Sequence, residues 1–132
     1  MGRQQQRWPN VEKQVIAWLK AATGRPVFTE TNTDLENHLP AYQIERVGGS
    51  DSFEIGKTIQ VEINSLAATR PAMWDAVAAV ETAMQQLASN GTAAWYVDDV
   101  EETFSAAVAP HPNSGIRRAT ATYSLTIRPT ST

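Results

Sequence analysis

The sequence predicts an α+β fold: a mixed, mainly antiparallel sheet of four to six strands, with two helices packed on one face. In two segments apolar residues recur at the three- and four-residue spacing of an amphipathic helix, and in several others they alternate with polar residues as in half-buried strands. The order is helix, three strands, helix and further strands, without the strict strand–helix alternation of a wholly parallel sheet. A single domain accounts for all 132 residues, because domains of about 100–150 residues are common.

The first helix is marked by its two ends. Asn10 is a suitable N-cap, an apolar stripe follows it, and Gly24 is a typical end signal. Residues 1–8 are expected to form a flexible arm ahead of this helix. Trp8 in that arm has no periodic apolar partner, so it is a candidate contact for a partner protein or for the domain's own core.

Three strands are expected between the helices. They span residues 26–30, 41–47 and 58–65, with a polar connection over residues 31–39. Residues 48–56 are rich in turn residues and too long for a tight hairpin loop, which predicts an excursion from the sheet. This excursion is a candidate interface, and its candidate contact residues are Gly48, Gly49, Asp51 and Phe53.

The second helix is the clearest element of the sequence. Thr69 can cap it, Pro71 fits its first turn, and an apolar stripe runs through its alanine-rich body. The pair Asn90–Gly91 is predicted to end it. Trp74 beside this stripe and Trp18 on the stripe of the first helix are both expected to pack in the core.

The sequence from residue 93 onwards predicts further strands of the sheet. We expect a strand over residues 93–97, an acidic break over 98–102, a strand over 103–108, a loop over 110–115 and a long last strand over 116–127. With both helices on one face, the other face would be open to water or to a neighbouring subunit. That face would carry the polar residues Gln43, Glu45, Gln60, Glu62, Thr122 and Thr126.

Composition excludes several classes of protein and site. Hydrophobic residues make up 42% and charged residues 19%, which is typical of a chain that buries a core. The formal net charge of -3 argues against a dedicated nucleic-acid binder, which usually carries a basic surplus. Without cysteine there are no disulfides, thiolate ligands or cysteine nucleophiles. The polar N-terminus and the lack of a long apolar run predict neither a signal peptide nor a membrane span.

No residue pattern typical of catalysis, cofactor binding or metal binding stands out. His38 and His111, the only histidines, lack metal-ligand spacing, so we expect a solvated or capping role for each. The densest charge feature is the acidic cluster, which consists of Asp98, Asp99, Glu101 and Glu102. It lacks the glycine and the alternating oxygen ligands of a calcium loop, so we interpret it as a solvated strand end or bulge that forms an electrostatic surface.

Several segments resemble the tail-terminator (tail-to-head joining) proteins of long-tailed bacteriophages. The more specific ones are Leu39–Gly49, which reads Leu-Pro-x-x-x-Ile-x-Arg-x-Gly-Gly, and the closing strand Arg117–Pro129, which ends Tyr-x-Leu-x-Ile-Arg. The others are the opening helix near Pro9–Glu12, the strand Ile59–Ile63 and the alanine-rich helix Pro71–Leu87. Their order and spacing together carry the resemblance through most of the chain.

The resemblance implies a structural virion protein without catalytic residues or cofactors. Six subunits would form a ring on the last ring of the tail tube protein, end tube polymerisation and bind the head–tail connector or head-completion protein. Such a protein is assembled in the bacterial host cytoplasm and stays in the neck of the virion. DNA would pass through the lumen without specific binding, and an acidic cluster lining the lumen would repel it, because DNA affinity comes from neutralised phosphates.

Two alternatives remain open at this point. The nearer one is a subunit of another phage neck ring, such as a tail-completion or head-closure protein. The other is a small cytoplasmic enzyme or ligand-binding domain that uses the acidic cluster. A ring in native mass spectrometry favours assembly, whereas a compact monomer that retains a metal ion favours an enzyme.

Overall fold

The computed structural model describes residues 9–30, 34–52, 56–92 and 94–128, and for residues 49–52 and 56 the backbone alone. The helices are α1 (Val11–Thr23) and α2 (Arg70–Leu87), with a 3-10 helix at Leu35–Asn37. The strands are β1 (Val27–Phe28), β2 (Ala41–Ser52), β3 (Gly56–Ala67), β4 (Asn90–Thr92), β5 (Trp95–Ala109) and β6 (Arg117–Ile127). They form one sheet in the order β1-β2-β3-β6-β5-β4, and its only parallel pair is β1 with β2 among the described strands. The predicted α+β fold class is confirmed.

Both helices pack on the same face of the sheet. The main core joins Val15 and Leu19 of α1 and Met84 of α2 to the apolar face of the strands. In β6 the alternation is nearly complete, since every second residue from Ala119 to Ile127 is buried and the residues between are half-buried. This arrangement follows directly from the period-two pattern, and among the described residues it leaves the second face of the sheet without an α-helix.

The predicted helix caps are present at three of the four ends. The Asn10 side chain accepts a hydrogen bond from the backbone N–H of Lys13 at 3.1 Å, and Thr69 caps α2 in the same way. Gly24 ends α1 in the left-handed conformation at φ 68°. The prediction for the end of α2 was wrong: the helix stops at Leu87, and Asn90–Thr92 form β4.

Gly91 is needed in β4 for a different reason than helix termination. A Cβ atom built on Gly91 would lie 2.3 Å from the carbonyl oxygen of Trp95 and 2.8 Å from the Cα atom of Tyr96. Glycine therefore allows β4 to approach β5 this closely. Both a helix stop and a close strand contact favour glycine, so the sequence could not separate the two roles.

The predicted excursion over residues 48–56 is largely strand. β2 continues to Ser52 and β3 begins at Gly56, so the two form one long hairpin. A β-bulge between Arg46 and Gly48 absorbs one residue and leaves the pairing to continue beyond it. Pairing along the whole length of β3 outweighs the turn preference of Gly48 and Gly49. Within the predicted excursion, residues 53–55 lie outside the described residues.

The expected break at the acidic cluster is also absent. β5 runs without interruption from Trp95 to Ala109 against β6, so the cluster lies within a strand instead of between two. Register shifts between Val97 and Asp99, and on both sides of Phe104, mark irregularities that disturb the alternation. The period of two is lost at these bulges, which is why the sequence pattern suggested two shorter strands.

A small second cluster covers one end of the face opposite the helices. The 3-10 helix places Leu35 against Ala41, Leu66 and Ile116, with Phe28 and Leu39 beside them. The connection predicted to be polar thus contributes a buried apolar side chain. The predicted strand at 26–30 is shorter than expected, since only Val27–Phe28 pairs with β2.

Candidate assembly surfaces

The face of the sheet opposite the helices is polar, as predicted. Glu45 is exposed, and the other predicted residues of this face, Gln43, Gln60, Glu62, Thr122 and Thr126, are half-buried by their neighbours. Side chains of neighbouring strands form hydrogen bonds on this face, and the Thr120 hydroxyl donates one to the Asn64 side-chain oxygen at 2.5 Å. We call this surface the polar face, and it is hydrophilic except at the end where the Leu35 cluster packs and at the exposed Phe104, which pairs with Thr122.

The acidic cluster divides between the two sides of the sheet. The register pairs Asp99 with Thr126, Glu101 with Ser124 and Glu102 with Tyr123. Paired residues share a face of a sheet. Asp99 and Glu101 therefore extend the polar face, whereas Glu102 lies on the helix-bearing side.

Asp98 is held by an ion pair with the end of β6. Its carboxylate accepts hydrogen bonds from Arg128 Nε at 2.9 Å and from Arg128 Nη2 at 2.6 Å, and the guanidinium lies 4.7 Å from the centre of the Tyr96 ring. The hydrogen bond to Asp98 raises the pKa of Arg128. The ion pair offsets the charge of Asp98, and the remaining negative charge of the cluster lies on Asp99, Glu101 and Glu102.

Two buried tyrosines have pKa values above the ordinary range. Burial is the main cause for Tyr123, and the nearby carboxylates of Glu102 and Glu81 raise its pKa further. Burial also raises the pKa of Tyr42, although a hydrogen bond from Arg25 opposes the effect. The Tyr42 hydroxyl donates in turn to the Ala76 carbonyl at 2.8 Å, which ties β2 to α2.

Two strand edges are open in the described part of the sheet. β4 pairs with β5 only at Trp95–Val97, and β1 pairs with β2 only at Tyr42–Gln43. Beyond these pairs no described strand covers the outer side of β5 or of β2. The exposed apolar residues on these stretches are Val47 at 46%, Phe104 at 70% and Val108 at 48% exposure. Sequence reasoning missed these edges, because pairing partners cannot be read from one strand's pattern.

The remaining predicted contact residues are only partly described. Trp8 and Phe53 lie outside the described residues. Gly49 and Asp51 are in β2, where the backbone alone is described, and Gly48 is an exposed residue of β2 directly after the bulge. The structure therefore brings Gly48, Gly49 and Asp51 together on the hairpin of β2 and β3, at the other end of the strand order from the acidic cluster.

Both histidines contact residues close to them in the sequence, as expected for solvated or capping side chains. His111 Nδ1 accepts a hydrogen bond from the Asn113 backbone N–H at 3.0 Å, and His38 Nε2 lies 3.3 Å from Asp34. His111 also lines a depression of about 370 Å³ beside Arg117 and Arg118, to which the acidic cluster contributes no residue.

Within the described ranges, no three His, Asp or Glu side chains lie close enough together to hold a metal ion. Neither α1 nor α2 has the length and apolar character that crossing a membrane requires.

Trp74, expected in the core, is 39% exposed on α2, so that prediction was wrong. Trp18 does pack against the core, and its indole N–H donates to the Ala83 carbonyl.

Comparison with known proteins shows a likeness at the level of the fold. Neither a protein-family model nor a curated protein matches the sequence. The fold is similar to that of a chain in a solved structure described as the virion of a native gene transfer agent particle. The two chains share 17% sequence identity, and the likeness has a TM-score of 0.57 over 89% of this chain and 90% of that chain. The shared property is the fold, and it extends over nearly the whole of both chains.

Proposed function

We propose that this protein is a structural subunit of a phage-like virion, and specifically a tail terminator that forms a ring between tail tube and head connector. The observation that carries the proposal is the fold likeness, over almost the full chain, to a component of a virion particle. The tail-terminator motifs at Leu39–Gly49 and Arg117–Pro129 support the narrower role.

The surfaces of the subunit suit such a ring. Beyond the end that the 3-10 helix covers, the polar face offers a largely hydrophilic wall, and Asp99 and Glu101 add negative charge to that wall. A wall of this sign facing the lumen would repel the phosphates of passing DNA, so the genome would move without being bound. A role in assembly needs no reaction, cofactor or metal ion.

The first test is the oligomeric state of the full chain. Native mass spectrometry and negative-stain electron microscopy should show a closed ring with a central opening, and we expect six subunits. A chain that stays monomeric across the micromolar range, alone and with its tail tube protein, would contradict the proposal. A monomer that retains a metal ion or a small molecule would instead favour a binding domain or an enzyme.

The second test separates the terminator from the other neck proteins. Deletion of the gene from its parent virus should give over-long tails, because nothing would stop polymerisation of the tube. Tails of normal length that fail to join filled heads would assign the protein to a head-closure or tail-completion ring. Normal virions would contradict both roles.

A further inference from the structure

The two open edges of the sheet lie at opposite ends of the strand order. No described strand pairs with the outer side of β5 from Asp99 to Ala109 or of β2 from Ile44 to Ser52, and on the β2 edge Glu12 of α1 bonds the Arg46 N–H. An open edge presents unpaired backbone N–H and C=O groups and is a template for another strand. Proteins usually shorten or block such edges, yet β5 is the longest strand of the described sheet.

The strand directions suit a contact between two copies of the chain. β2 is antiparallel to β3, β3 to β6 and β6 to β5, so β2 and β5 of one subunit run in opposite directions. Rotation about a ring axis preserves the axial component of each strand's direction, so strands that run along the axis keep these directions in every copy. The β2 edge of a neighbour would therefore meet β5 as an antiparallel partner and continue the existing pattern.

One row of the sheet carries opposite charges at its two edges. Arg46 of β2 is paired with Val61, Val61 with Tyr123 and Tyr123 with Glu102. Arg46 and Glu102 thus lie in one row and on one side of the sheet, at its two opposite edges. A second copy that continues the sheet in the same register places its Arg46 beside Glu102, and opposite charges in such a pair are favourable.

Exposed apolar side chains lie on both edges, and one backbone N–H of the β2 edge is bonded by a side chain. Phe104 and Val108 on β5 and Val47 on β2 are among the large apolar residues that remain exposed in the single chain. The outward N–H of Arg46 donates to the Glu12 side chain at 3.0 Å. A carbonyl of the incoming strand can take over this bond, which would release Glu12.

We infer that the ring closes by strand addition, with β5 of each subunit pairing antiparallel to β2 of the next, so that the sheets join into one continuous wall. The contact uses two different patches of the chain and can therefore be repeated around a ring. This inference rests on the proposed ring, whose existence is tested independently of the contact that closes it.

The apolar part of the contact is tested with a double variant, Phe104→Lys with Val108→Lys. Both side chains are exposed, so the subunit should fold with an unchanged far-UV circular dichroism spectrum. The ring should weaken, with its half-dissociation concentration raised at least roughly tenfold, as measured by mass photometry. Trp74→Lys is the matched control, because it also replaces an exposed aromatic residue but lies on α2, and it should leave the ring intact.

The charge pair is tested by exchange of the two charges. Arg46→Glu alone and Glu102→Arg alone should each weaken the ring, and the double variant with both changes should recover most of the loss. A double variant as weak as the sum of the single variants would contradict the Arg46–Glu102 register. Urea unfolding of each variant at a concentration where all are monomeric separates loss of folding from loss of assembly.

The outcomes distinguish the contact from the ring itself. A wild-type ring that is unaffected by all the edge variants would overturn strand addition and leave the proposed function standing. A symmetric dimer as the final assembly would overturn the head-to-tail contact, because a two-fold contact joins the same patch of both copies. A wild-type chain that never assembles would overturn the proposed function first.

Discussion

At the scale of single residues, the absence of a side chain at Gly91 allows β4 to lie close against β5. The Cβ position at Gly91 falls on the Trp95 carbonyl and the Tyr96 backbone, neither of which can rotate away. Gly48 offers a contrast, because a Cβ there would meet nothing within 4 Å. The two glycines look alike in sequence, yet only the first is required by its surroundings.

We expect Gly91→Ala to lower the free energy of unfolding by roughly 1–3 kcal/mol, because β4 must move away from β5. Gly48→Ala is the matched control and should change it by less than about 0.5 kcal/mol. Urea unfolding followed by tryptophan fluorescence measures both. Equal effects of the two substitutions would show that the contact of β4 with β5 is not as close as described.

Tyr123 should make the fold sensitive to alkaline pH. Its pKa in the folded protein is raised above the ordinary value, so the folded state holds the phenol proton more tightly than the unfolded chain. The resulting stabilisation is fully present below a pH of about 10 and is lost as the pH rises above it. Tyr123→Phe should therefore flatten the decline in unfolding free energy above about pH 10, by up to about 1.4 kcal/mol per pH unit.

The measurement is a series of urea unfolding curves from neutral to strongly alkaline pH. Between about pH 7 and pH 9 the wild type and Tyr123→Phe should show parallel pH dependence, because the phenol is protonated in both folded and unfolded chains there. Curves that stay parallel above that range would show that Tyr123 ionises as easily in the fold as in the unfolded chain.

At the scale of elements, a single hydrogen bond links the two helices. The Trp18 indole N–H donates to the Ala83 carbonyl at 2.8 Å, and the ring packs on the edge of the main core. Trp18→Phe removes this donor and part of the ring, so we expect a loss of roughly 1–3 kcal/mol in unfolding free energy. Trp74→Phe, at an exposed site of α2, should change it by less than about 0.5 kcal/mol.

The elements that the sequence predicts well are those with an undisturbed period and a clear end signal. α1 has both, with Asn10 and Gly24 at its ends, and β6 has an almost perfect alternation. β5 was predicted as two strands because its bulges shift the alternation. The extension of β2 was missed because Gly48 and Gly49 favour turns locally, while the pairing that overrides this preference comes from β3.

At the scale of the whole molecule, the position of the acidic residues leads to a prediction about DNA movement. Asp99 and Glu101 lie on the polar face, which the proposed ring turns towards its lumen. Asp99→Lys with Glu101→Lys should slow DNA ejection from the virion, because lysines would hold phosphates that carboxylates repel. Ejection is followed by the fluorescence of a DNA-binding dye after receptor addition, and the delay should shrink at high salt.

The control for this prediction is Asp75→Lys. Asp75 is an exposed acid on α2, on the other side of the sheet, so its reversal should leave the ejection rate unchanged. Equal rates for the lumen variant and the wild type would contradict an acidic lumen. Slowing by Asp75→Lys as well would indicate a general effect of net charge.

The sequence could predict the chemical character of the assembly surfaces but not their positions. It identified the polar face residue by residue, because period two assigns each side chain to a side. It grouped Asp98, Asp99, Glu101 and Glu102 as one cluster, whereas the bulges of β5 and the Arg128 ion pair give these four residues different surroundings. An open edge such as that of β5 depends on which strands lie beside it, and this is a property of the complete sheet.

The strict alternation of β6 has a consequence for how such a chain changes over evolutionary time. Only every second residue must suit the interior, so the outward residues can be exchanged, and the inward ones can be traded among aliphatic side chains of similar volume. Two proteins that descend from one ancestor can then lose most of their sequence identity while both retain the same fold. For this architecture the spacing of hydrophobic residues is retained longer than the residues themselves. Distant relatives are therefore better sought by that spacing than by sequence identity.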